Sequence, residues 1–121
     1  MIVIKIFTNS DTGLIQGFSV KGHTNKAPLG YDIYCAGISA LANSVVISLR
    51  DYLKLSIDSE GTDGNVYCMI NSNPNEVTEG IFWTMLIGFK EIQKLVPDVI
   101  KIEKKNITWQ NYLSMIILFW N

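Results

Sequence analysis

The sequence predicts an α+β fold: a small mixed or antiparallel sheet built from two hairpins, with two helices, in the order ββαββαβ. Three observations predict it. Apolar and polar residues alternate at the start of the chain and again around Val66–Ile70. Apolar residues recur at three- and four-residue spacing after Asp32 and after Val77. Between these stretches lie short clusters of Gly, Asp, Asn and Pro that punctuate rather than continue them.

Taken in order, Ile2, Ile4 and Ile6 alternate with Val3, Lys5 and Phe7, and a second run extends from Leu14 to Lys21 beyond the turn Asp11-Thr12-Gly13. That is a hairpin. At Gly22 the second strand gives way to a polar stretch, His23 to Gly30, in which Pro28 and Gly30 discourage regular structure. From Asp32, placed to cap a helix, the residues Ile33, Ala36, Gly37, Ala40, Leu41, Ser44, Val45, Ser48, Leu49 and Tyr52 follow one helical face. The other face carries Ile38, Ala42 and Val46, which predicts a buried helix whose Ala-, Gly- and Ser-rich first half lets a neighbour approach closely.

A second hairpin, Lys54–Ser59 with Asn65–Asn71, is predicted about the turn Glu60-Gly61-Thr62-Asp63-Gly64. Asn73-Pro74-Asn75 stops it, and Val77, Ile81, Met85, Phe89, Ile92 and Val96 mark a second helix ending before Pro97. Val99–Glu103 supplies a last strand, so the expected domain is 1–103. Beyond it, 104–121 is an apolar C-terminal tail whose Tyr112–Trp120 stretch is too short to span a bilayer, which takes about 20 apolar residues. Packing on the domain or contact with another chain suits it best.

Composition narrows the function classes. The 121 residues hold 10 basic and 11 acidic side chains, a net charge of −1, with no basic run longer than Lys104-Lys105, so no nucleic-acid partner is expected. Apolar residues reach 48% against 17% charged, which excludes a disordered chain. The amino-terminal Met-Ile-Val-Ile-Lys has neither a basic region nor a cleavage site, so a cytoplasmic protein with no membrane attachment and reduced thiols is expected. Two cysteines and one histidine cannot complete a four-ligand zinc site, and no metal or organic cofactor is expected.

Chemistry centres on His23, the chain's one histidine, and Cys35. With Asp32 as cap, Cys35 falls in the first helical turn, where orphan backbone N–H groups stabilise a thiolate, and a nearby imidazole could take and return its proton. Ser39 lies one turn further on the same face, and Gly22 lets the backbone turn sharply toward the helix start. By residue type alone, a lone cysteine in an apolar helix is more often a core residue than a nucleophile. Cys68, alternating with Val66 and Ile70, suits the core.

The stretch Gly22-His23-Thr24, the eight residues Thr24 to Tyr31, and then Asp32-Ile33-Tyr34-Cys35-Ala36-Gly37-Ile38-Ser39 resembles the signature of the ribosomal-processing cysteine proteases of Firmicutes. Tyr34 and Gly37 replace the smaller aliphatic and Ala residues expected within that motif. The likeness of layout extends from Met1 to about Glu103 and stops there. The resemblance implies a homodimeric Cys/His endopeptidase that removes the N-terminal extension of a large-subunit ribosomal protein, the one numbered twenty-seven. It implies Cys35 as nucleophile, His23 as general base and acid, and Gly22, Asp32 and Ser39 as supporting or substrate-positioning residues. The loop Thr24–Tyr31 is expected to order over a bound peptide. The alternative readings are a non-catalytic ribosome-associated peptide-binding or assembly module and, further off, a thiol redox sensor.

Overall fold

The computed structural model describes residues 1–22, 32–62 and 65–108. Strands β1 (Ile2–Asn9), β2 (Ile15–Lys21), β3 (Ile57–Thr62), β4 (Asn65–Ile70) and β5 (Ile100–Ile107) and helices α1 (Asp32–Ile47) and α2 (Glu76–Leu95) follow the order ββαββαβ. The sheet runs β3-β4-β2-β1-β5 and is mixed, because β5 lies parallel to β1 while every other pair is antiparallel. Each helix therefore crosses between strands that do not neighbour each other, and both lie on one side of the sheet. There Ile4, Phe18, Cys68 and Ile70 meet Ile38, Ala42, Phe82 and Phe89 in one core.

Local chemistry accounts for most element boundaries. Asn75 caps α2: its Oδ1 accepts from the Val77 and Thr78 amides at 2.9 and 3.0 Å, while Thr78 Oγ1 accepts from the Asn75 amide at 2.9 Å. Glu79 ties that helix start to the sheet by accepting from the Ile15 amide at 2.8 Å. The far end of α1 widens before it stops. A π-helical turn over Ser48–Tyr52 closes on the Leu53 amide, which donates to Ser48 O at 2.9 Å. Lys54 then takes a left-handed φ of 55°, which ends the helical run.

Four sequence expectations change. The third strand does not start at Lys54, whose left-handed backbone is incompatible with a ladder; it starts at Ile57 and runs through Thr62 into the expected turn. The helix expected to reach Tyr52 as one piece is α-helical only to Ile47. Nor is α1 buried all round. Its buried stripe is Cys35, Ile38, Ala42 and Val45, continued by Leu49 in the π-helical turn, whereas Ile33, Ala36, Ala40 and Ser44 face solvent, a choice that nearly uniform apolar periodicity cannot make. Finally, the last strand, expected over Val99–Glu103, runs over Ile100–Ile107 and pairs with β1 as far as Asn9↔Ile107.

By length and composition Ile33–Tyr52 could cross a membrane. One stripe of it packs against the sheet.

Candidate active site

At one end of the sheet, the first half of α1 stands over the finishing end of β2 and the tips of β3 and β4. A cleft of about 370 Å³ opens there, bordered by Gly22, Cys35, Ser39, Asn43, Thr62 and Asn65. Three of the five residues singled out from sequence thus meet at one cavity. A second hollow of about 270 Å³ continues along α1 past Asn43 and Gly61 toward Arg50. Together they form a path between helix and edge hairpin.

Each position has a local cause. Gly22 ends β2 with φ of 128°, and a Cβ there would lie 2.8 Å from Ile2 Cα and against the Met1 carbonyl oxygen, so only glycine fits this exit. Asp32, expected as the helix cap, is itself the first helical residue described. Cys35, three residues on, is the first residue of the buried stripe, only 5% exposed yet on the cleft wall. Ser39 and Asn43 follow at four-residue intervals, which brings all three onto the same wall of the helix. Gly37, the departure inside the motif, faces α2: a Cβ there would stand 3.1 Å from Ile92 Cδ1. The small residue serves helix packing.

His23 and the loop 24–31 lie outside the described residues. The structure accordingly brings together Gly22, Cys35 and Ser39, with Asp32 one turn before the cysteine. Sequence reading passed over Asn43, Thr62 and Asn65. Asn43 was legible as the next i+4 step from Ser39, but the two hairpin residues reach the cleft only through strand pairing, Thr62 opposite Asn65.

The other cysteine behaves differently. Cys68 is fully buried in β4 beneath the helices, and burial, reinforced by the negative charge of Asp58, pushes its thiol up to about 12. It is a core residue. No cluster of three or more potential metal ligands occurs among the described residues.

Most of the chain matches a known family. Residues 1–101 fit the description cysteine protease Prp. The chain belongs to the cysteine protease Prp family. It is 26% identical over 109 residues to the ribosomal processing cysteine protease Prp of Staphylococcus aureus, covering 87% of this chain and all of that protein. The crystal structure of the S. aureus Prp protease with a covalently linked product peptide superposes with a TM-score of 0.74 at 25% identity, covering 87% of this chain and all of that one. A complex of the S. aureus enzyme with a substrate peptide shares the fold at a TM-score of 0.77 and 24% identity, with the same coverage. Membership of the Prp family makes this chain a cysteine protease acting on a peptide substrate, and the mixed ββαββαβ sheet is the family's fold.

Proposed function

We propose that this Prp-family member is the endopeptidase that removes the N-terminal extension of large-subunit ribosomal protein number twenty-seven during ribosome maturation in the cytoplasm. The observation that carries the reading is Cys35 on the cleft wall in the opening turns of α1, with Gly22 and Ser39 beside it. Its relatives are ribosomal processing proteases, which supports the substrate class.

In the proposed mechanism the Cys35 thiolate attacks the scissile carbonyl, and amides at the start of α1 hold the oxyanion that forms. His23 takes the thiol proton and returns it to the departing amine, forming an acyl-enzyme. Water activated by the same histidine then attacks that thioester, releasing the removed extension as its carboxylic acid and restoring the thiol. Gly22 sets the direction in which the chain enters the histidine position. Asp32 and Ser39 position substrate or site, and the cleft between α1 and the β3–β4 hairpin gives an extended peptide room to lie. The protease domain takes in β5 to Ile107, no organic cofactor or metal takes part, and neither nucleic acid nor membrane is a partner.

A homodimer is part of the reading. The helix layer leaves Ile33, Ile47, Trp83, Ile87 and Leu95 exposed, an apolar surface suited to a second copy. Sedimentation at micromolar concentration should give twice the chain mass; a monomer refutes this part.

The deciding experiment is mass spectrometry of the extended ribosomal protein after incubation with the wild type and with Cys35→Ala. The expected result is one cut near its N-terminus by the wild type and a rate at least ~10³-fold lower for the variant. Wild-type protein that cleaves other peptides but leaves this one whole would refute the substrate. Equal cleavage by both would refute the nucleophile.

A further inference from the structure

The sheet has a second face, turned away from both helices. On it Phe7, Tyr67, Met69 and Ile107 form a cluster of their own, separate from the main core and containing no helix residue. These side chains are nevertheless 4%, 1%, 0% and 6% exposed. A tyrosine and a methionine on the open face of a single sheet are ordinarily half in water, so this face is covered, and among the described residues no helix or strand lies over it.

We infer that residues 109–121 of this same chain dock on the outer face of the sheet, over Phe7, Tyr67, Met69 and Ile107. Three independent features single out this occupant. The segment leaves directly from Thr108, one residue after Ile107, at the very edge of the cluster. It has the right chemistry: nine of its thirteen residues are apolar, among them Trp109, Ile116, Phe119 and Trp120, and it carries no charge to desolvate. It also has the reach. From β5 to β4 is three strand spacings, about 14 Å, and thirteen residues span about 20 Å even when helical.

The alternative of a second copy fits less well. Four side chains make a patch far smaller than the roughly 600–1,000 Å² per partner that a stable dimer buries, whereas they match one short apolar segment. Charged side chains frame the cluster on this face, Lys5, Lys21, Lys101 and Glu103 toward the other end and Lys105, Asp58 and Glu60 opposite Phe7, Met69 and Tyr67, which confines apolar docking to the four clustered side chains near Ile107. That end is opposite the Cys35 cleft, so the docked segment completes the fold without entering the site. The family match ends at residue 101, which makes this cover a feature of this chain rather than of the shared protease domain.

The test uses the full chain. Methyl-labelled methionine NMR on a mixture of labelled and unlabelled protein separates contacts within a chain from contacts between chains. Intramolecular NOEs from the Met69 methyl to aromatic protons of Trp109, Phe119 or Trp120 are expected. Only intermolecular NOEs to that segment, or to any other part of a second copy, would assign the cover to another chain and overturn the inference. A Met69 methyl resonance with no NOE to 109–121 would overturn it as well. As a second measurement, Trp83→Phe with Trp109→Phe leaves Trp120 as the sole indole, whose acrylamide quenching should be several-fold weaker than in urea and independent of protein concentration. Full quenching, or quenching that rises on dilution, refutes docking within the chain.

Discussion

The head of α1 and the middle of β4 each bury a cysteine, and by exposure alone the two are nearly alike: 5% for Cys35 and 0% for Cys68. Their surroundings separate them. Cys68 lies between sheet and helices in the apolar core, so burial disfavours its thiolate and the nearby Asp58 carboxylate repels it. Cys35 occupies the opening turns of a helix, where amide dipoles favour an anion, and one side of it faces a cleft. Low exposure marks a core residue in one place and the proposed nucleophile in the other. What distinguishes them is a cavity and a helix start.

The largest effect expected from that contrast is in thiol labelling. With its thiol near 12, Cys68 offers a thiolate fraction on the order of 10⁻⁴ at pH 8. Iodoacetamide on the folded protein should therefore modify Cys35 at least ~10²-fold faster, as peptide mapping would show. Comparable rates at the two sites would break the comparison. The linkage sign follows from the same shift: the folded state holds the Cys68 proton more tightly than the unfolded chain does. Its contribution to stability is whole below the ordinary thiol value and is lost as pH climbs from there toward about 12.

A smaller effect is expected at the strand exit beside the proposed nucleophile. Gly22→Ala places a methyl group against the Met1–Ile2 backbone at a φ that favours glycine, which should cost more than about 1 kcal/mol of stability. Cleavage should fall about tenfold or more at a temperature where the variant remains folded, because the residue after it is the proposed base. Chemical denaturation with a parallel peptide assay checks both, and unchanged cleavage would detach this exit from the site.

The smallest effect sharpens the comparison along α1 itself. Asn43, two helical turns beyond Cys35 on the same cleft wall, makes no step of the proposed chemistry. Asn43→Ala should raise KM a few-fold and leave kcat nearly as it was, the mark of lost substrate binding. A matching loss in kcat would place it closer to the reacting atoms than the cleft suggests.

Much of this architecture is written locally. The alternation over Ile2–Phe7, the Asn75–Thr78 cap, the stop at Pro97 and the motif from Gly22 to Ser39 are each readable within a few residues, because hydrogen-bonded caps and side-chain periods are short-range. They determined the order ββαββαβ, the α+β class and the pairing of a Gly-His with an Asp-x-x-Cys-Ala.

Tertiary structure decided the rest. Which face of α1 turns inward, that β5 joins β1 in parallel as far as Ile107, and that Thr62 and Asn65 wall the Cys35 cleft all depend on partners tens of residues away. A nearly uniform apolar helix can bury either of two stripes, and a short apolar run can pair in either direction. Only the packed sheet, by fixing which surfaces meet, chooses between them and thereby makes one cysteine core and the other the wall of a cleft.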